Sequence, residues 1–130
     1  MSELRARFRV FVVDDELIIA STLATILQRN GFDAVFFTDP LEALAAARED
    51  VPDLIITDVV MPGLSGIELA ISVKAHSPDC KILLFSGQAS TANLLEEAKT
   101  KGYDFELLTK PIHPTDLLQK IRNATAEPVS

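Results

Sequence analysis

With a single cysteine, Cys80, the 130-residue chain cannot close an internal disulfide, and a reducing compartment fits it best. That cysteine and two histidines, His76 and His113, form no cluster of the kind that binds zinc. No apolar stretch approaches the length of a bilayer span, which excludes a transmembrane helix. The opening residues, Met1 to Arg7, are charged and lead straight into a strand-like segment, so no secretory signal is expected there. Lys and Arg number 12 against 19 Asp and Glu, and the resulting net charge of −7 argues against nucleic-acid binding by this domain. Internal repeats and low-complexity segments are also missing. What is present suffices for one core: 48% hydrophobic and 24% charged residues suit a folded globular domain rather than a disordered chain.

Strand-like and helix-like segments alternate along the chain, the pattern of a parallel sheet wrapped by helices. The first strand, about 8 to 13, is a nearly continuous apolar run, as expected of a strand buried on both faces. Ile19, Leu23, Ile26 and Leu27 carry the core face of the first helix, which Asn30-Gly31 closes. The second strand covers Ala34 to Phe37. Asp39 can cap the second helix, with Pro40 at its first position and Glu42 placed to complete a capping box. A third strand is expected over Leu54 to Thr57, and Ser65 with Glu68 offers a second capping box for the third helix. The fourth strand is placed at Cys80 to Phe85 and the fourth helix from near Ser90 to Lys101. Gly102 then stops that helix before a fifth strand at Asp104 to Leu108. The fifth helix follows His113-Pro114 and turns Leu117, Leu118, Ile121 and Ala124 to the core. The fold class that follows is α/β: a flavodoxin-like, doubly wound, five-stranded parallel sheet of order 2-1-3-4-5 with five helices. Residues 1–7 read as an N-terminal extension, 8–124 as the domain, and 125–130 as a tail or truncated linker.

Chemistry-bearing residues stand where the apolar runs end. Asp14 and Asp15 follow the first, Asp58 the third, Ser86 the fourth, and Lys110-Pro111 the fifth. In an open α/β sheet the carboxyl ends of the strands lie along one edge, where ligands bind. Two carboxylates about 4 Å apart repel by roughly 1 kcal/mol in bulk water and about 4 at an effective dielectric of 20. Three in a partly buried corner raise one another's pKa unless compensated. Lys110 supplies one compensating charge, and a hard divalent cation with oxygen ligands supplies the rest, Mg²⁺ fitting better than zinc. Such a site suits phosphoryl transfer, with Asp58 available as a carboxylate nucleophile.

The motifs Val12-Val13-Asp14-Asp15-Glu16, Asp58-Val59-Val60-Met61-Pro62-Gly63-Leu64-Ser65-Gly66, Phe85-Ser86-Gly87 and Lys110-Pro111 together resemble a response-regulator receiver domain of two-component signalling. The resemblance covers about 8 to 124. It implies a CheY-like switch in which Asp58 takes a phosphoryl group from a histidine kinase or histidine phosphotransfer protein. Asp14, Asp15 and Asp58, with the backbone carbonyl of Val60, are then the Mg²⁺ ligands. Ser86 is the hydroxyl that turns toward the phosphoryl group, and Lys110 pairs first with the acidic cluster and then with that group. The family's Lys-Pro bond is cis, which extends to Lys110-Pro111. Phosphorylation would shift the Ser86 loop and the face of the fourth helix, fifth strand and fifth helix, controlling an output domain or effector protein. The same resemblance implies a cytoplasmic protein that is a monomer or a phosphorylation-dependent dimer. It is no enzyme beyond self-catalysed phosphorylation and dephosphorylation, and binds no membrane.

One position departs from the family pattern. Many receivers place an aromatic residue three before the lysine, where this chain has Leu107. Tyr103 and Phe105 are offset, and Phe105 is expected to face a different environment from Leu107 if the strand is regular. Two other functions remain open: a degenerate receiver acting as a phosphorylation-independent binding module, and an aspartyl-phosphate phosphohydrolase. The intact acidic set and Lys110 argue against the first, and the missing Asp-x-Asp nucleophile motif and cap domain against the second. A nucleotide or flavin binder would want a Gly-rich loop after the first strand, and none is there. His76 and His113 read as surface or helix-end residues, and Cys80 as a buried strand residue without redox function.

Overall fold

The structure is a computed structural model that describes residues 8–87, 91–103, 105–110 and 113–125. The strands are β1 (Arg9–Val13), β2 (Asp33–Phe37), β3 (Leu54–Asp58), β4 (Lys81–Ser86) and β5 (Glu106–Thr109). They alternate with α1 (Leu17–Arg29), α2 (Pro40–Glu49), α3 (Gly66–His76), α4 (Thr91–Thr100) and α5 (Pro114–Thr125). All strand pairs are parallel and the order is β2-β1-β3-β4-β5, as the alternation implies. Val13 pairs with Phe37 on one side and Thr57 on the other, and Asp58 pairs with Phe85. The register therefore brings the carboxyl ends of β1, β3 and β4 level.

Two cores explain the continuous apolar runs. Phe11, Val13, Ile55, Ile82 and Leu84 face one cluster with α2 and α3, while Val10, Val12, Leu54, Ile56, Leu83 and Phe85 face another with α1 and α5. A strand with apolar neighbours on both faces has no polar position to alternate with. On α1 the closest approach is made by Ala20, Ala24 and Leu27, which are buried, whereas Ile19 and Leu23 are partly covered at the flank. Small side chains let the helix axis sit near the sheet. On α5 Leu117 and Ile121 are fully buried and Leu118 packs beside them.

Several boundaries move. Asp58 and Ser86 lie inside β3 and β4 as their last residues, because each is still paired across the sheet, Asp58 with Phe85 and Ser86 with Thr109. Cys80 precedes β4, although it is buried as expected. β5 starts at Glu106, later than the pattern implied. Gly102, at φ +93°, lets the chain leave α4 in the left-handed region, with the Gly102 and Tyr103 N–H groups donating to the carbonyls of Lys99 and Ala98. Pairing of β5 with β4 begins at Leu83 and Glu106. The Ser65–Glu68 capping box forms, with both reciprocal bonds near 3 Å. At α2, Asp39 caps the Leu41 N–H at 2.9 Å without the reciprocal partner expected of Glu42.

Candidate functional site

Asp14 lies just beyond β1, its N–H held by the Phe37 carbonyl at 3.1 Å, and it is almost wholly buried. Both of its carboxylate oxygens are engaged. Oδ1 accepts the Glu16 N–H at 2.9 Å at the start of α1, and Oδ2 accepts a hydrogen bond from Lys110 Nζ at 3.0 Å. Lys110 Nζ also lies 3.4 Å from Asp58 Oδ1. Asp15 is exposed beside them, and one carboxylate oxygen from each of Asp14, Asp15 and Asp58 falls within 4.8 Å of the others. A cleft of about 720 Å³ is lined by Asp15, Glu16, Asp58, Val60, Met61, Pro62, Gly87 and Lys110. Asp14, Asp15, Asp58 and Lys110 thus converge as the strand ends implied, and Val60 lines the same cleft. Ser86 is buried at the end of β4, one residue short of Gly87, and does not itself line the cleft.

Electrostatics follow from this packing. Burial, and then the negative charge of Asp14, raise the pKa of Asp58 above the ordinary carboxylate value, while the charge and hydrogen bond of Lys110 hold it back. Burial alone would lower the pKa of Lys110; its bond to Asp14 and the charges of Asp14 and Asp58 outweigh that and raise it. Three hard oxygen donors this close suit a small divalent cation, and no thiol or imidazole competes among the described residues of the cluster.

Residues without an obvious chemical signature hold Asp58 in place. Thr57, fully buried, donates its hydroxyl to the Asp58 carbonyl at 2.9 Å. The Val59 N–H donates to the Phe85 carbonyl at 3.2 Å, and the Gly66 N–H to the Val59 carbonyl at 2.8 Å. Gly66 brings the start of α3 against the carboxyl end of β3 so closely that a Cβ there would sit 1.9 Å from the Asp58 carbonyl oxygen. A glycine directly after a capping serine was the available signal, but its partner across the fold was not. Phe85 is a further unforeseen neighbour: its ring centroid lies 5.2 Å from Lys110 Nζ.

Leu107 is half-buried and packs against the α2/α3 cluster together with Tyr103 and Phe105, whose rings stack 5.9 Å apart. Phe105, which precedes β5, therefore shares its environment with Leu107. Residues two apart in an extended segment point the same way. The Lys110-Pro111 bond, expected cis, lies outside the described residues, as does Ser90 at the expected start of α4. His113 is a helix-end residue, its Nδ1 accepting the Thr115 N–H at 3.1 Å. Burial pushes the Cys80 thiol up to about 11, which leaves it unreactive at neutral pH.

A family model for the response regulator receiver domain matches residues 10–122. The chain belongs to this family. Receivers are the phosphorylation-dependent switches of two-component systems, and this chain is one. It is 31% identical over 116 residues to the DNA-binding response regulator MtrA of Mycobacterium tuberculosis, covering 89% of this chain and 50% of that protein. The chain spans about half the length of the curated relatives it matches. Among solved structures, this receiver is similar to the chemotaxis protein CheY4 of Vibrio cholerae, with TM-score 0.81 and 30% identity over 92% of this chain and 99% of that one. It is also similar to the response regulator TrrA of Thermotoga maritima in complex with Mg²⁺-BeF, with TM-score 0.78 and 29% identity over 89% of this chain and 97% of that one. Among the described residues no helix is long and apolar enough to cross a membrane.

Proposed function

We propose that Asp58 is the phosphoacceptor of this receiver, taking its phosphoryl group from a histidine of a kinase or of a histidine phosphotransfer protein. The observation that carries the reading is the position of the Asp58 carboxylate at the end of β3, inside the carboxylate cluster and 3.4 Å from the Lys110 ammonium. One Asp58 oxygen attacks phosphorus as the phosphorus–nitrogen bond of the donor breaks. The electron pair of that bond leaves with the imidazole nitrogen, which takes up a proton, and Asp58 becomes an acyl phosphate. Little covalent work falls to the protein in such a transfer; positioning and charge compensation are what it supplies. Lys110 works against the combined effect of burial and Asp14 on the Asp58 carboxyl, and its ammonium is near enough to follow the charge onto the phosphoryl oxygens.

Asp14, Asp15 and Asp58, with the backbone carbonyl of Val60, would hold Mg²⁺, whose charge when bound offsets that of the carboxylates and of the incoming phosphoryl oxygens. Ser86 is the hydroxyl that turns toward the acyl phosphate. Its carbonyl accepts the Lys110 N–H at 2.9 Å, so a movement of Ser86 is felt at the end of β5. In this reading residues 8–124 are the receiver, 1–7 an extension and 125–130 a tail or the start of a linker. The domain works in the cytoplasm as a monomer or phosphorylation-dependent dimer and signals to an output domain or effector protein. Its own catalysis is limited to gaining and losing the phosphoryl group.

The test is intact mass after incubation with acetyl phosphate and Mg²⁺, for the wild type and Asp58→Asn. A single phosphoryl adduct is expected on the wild type, abolished by the substitution and by excess EDTA. An adduct that survives Asp58→Asn would move the phosphoacceptor elsewhere.

A further inference from the structure

The Lys110 ammonium has two carboxylate neighbours, Asp14 Oδ2 at 3.0 Å and Asp58 Oδ1 at 3.4 Å, and one neighbour of a different kind. It stands 5.2 Å from the centroid of the Phe85 ring, within the range at which a cation is drawn to the negative face of an aromatic ring. Phe85 is itself 5% exposed and wedged among the α1/α5 core with Leu108 and Leu117, so the ring cannot swing away. The lysine stem is bounded on another side by Gly87, where an added Cβ would meet Lys110 Cβ at 3.5 Å. A carboxylate fixes an ammonium by hydrogen bonds that must break when the ammonium moves. A ring face attracts the same charge without a lone pair to surrender, so it confines the ammonium while leaving its donors free.

We infer that Phe85 is a positioning residue for Lys110, its ring carrying the ammonium beside Asp58 and easing its transfer to a phosphoryl oxygen. The inference rests on the reading of Asp58 and Lys110 given above.

The experiment compares the full chain with Phe85→Leu, Phe85→Tyr, and the chain carrying 3,4,5-trifluorophenylalanine at position 85, which keeps the ring's shape and weakens its negative face. The rate of adduct formation from phosphoramidate with Mg²⁺ is expected to fall about tenfold in Phe85→Leu and about threefold in the fluorinated chain, with Phe85→Tyr near wild type. The ε-protons of Lys110, read in a lysine-labelled sample, should lose their ring-current shift in Phe85→Leu alone. Combining Phe85→Leu with Lys110→Ala should cost no more than Lys110→Ala by itself. Wild-type rates in both Phe85→Leu and the fluorinated chain, or losses that multiply in the double variant, would overturn the inference. If Phe85→Leu does not fold, the fluorinated chain decides alone. A wild type that gains no adduct, or a Lys110→Ala chain as fast as wild type, would instead overturn the reading of the site itself.

Discussion

At the scale of single residues, Asp58 is held in a state the unfolded chain does not share. Burial and the charge of Asp14 raise its pKa above the ordinary 3.8, so the folded protein binds the Asp58 proton more tightly than the unfolded chain. Well below pH 3.8 the group is protonated in both states and exacts nothing. As pH rises through the raised value, the folded state must ionise a carboxyl that the unfolded chain ionises more readily, and stability is lost. Asp58→Asn should therefore melt higher than the wild type at pH 7, by about 3 °C, with the difference shrinking as pH falls through 4. Thermal melts across that range check it; a mutant that melts lower at pH 7 would make Asp58 a structural residue. Lys110 has the same sign in a far higher window. Its raised pKa means that its contribution is complete below about 10.5 and is lost only in strong alkali. A folded site that is less stable for holding Asp58 charged is what the proposed phosphoacceptor role calls for.

Between elements, the contact that matters most is the approach of α3 to β3. Ser65 and Glu68 cap α3 reciprocally, which sets where the helix begins, and Gly66 then lies directly on the Asp58 carbonyl. Replacing Gly66 by Ala would drive a methyl group to 1.9 Å from that oxygen, so either the helix start or the end of β3 must move. A loss of about 3 kcal/mol in denaturant unfolding is expected, together with at least a tenfold slower reaction of Asp58 with acetyl phosphate. Gly87→Ala is the control, since a Cβ there meets Lys110 only at ordinary contact distance and should change stability by less than about 0.5 kcal/mol. Equal effects of the two substitutions would remove Gly66 from any special position. Most of the element pattern was legible from the chain: five apolar runs, two glycine stops and the Ser65–Glu68 box mark the alternation without ambiguity. The start of β5 was not, because Tyr103 and Phe105 are as strand-like in type as the residues after them, and only pairing with Leu83 decides where the strand begins.

For the whole molecule, the question is how a charge added at one strand end reaches a distant face. The end of β4 is tied by backbone hydrogen bonds both to the β3 loop, through Phe85 and Val59, and to the end of β5, through Ser86 and Lys110. β5 is joined in turn to α5 by the Lys120–Glu106 ion pair at 2.6 Å. Beryllofluoride with Mg²⁺ should accordingly shift the amide resonances of Ser86, Lys110 and Glu106 and of α5, while leaving β2 and the carboxyl-terminal half of α1 near their free positions. Nitrogen–proton correlation spectra test this. Changes confined to the cleft would show that the binding event stops at the site. Leu107 stands in place of an aromatic, and the Tyr103–Phe105 stack packs with it on the α2/α3 side.

The order of the chain by itself determined the sheet, its topology and the acidic set at the strand ends. Hydrophobic periodicity and strand-end position are local properties, and right-handed crossovers leave little choice of topology. Which atoms then touch depended on residues far apart in sequence. Lys110 reaches Asp14 across 96 positions and sits over Phe85 with Gly87 beside its stem, and Gly66 closes on Asp58. Only the tertiary structure decided those contacts, because they are set by packing distances of a few ångströms between elements, which periodicity along the chain does not encode.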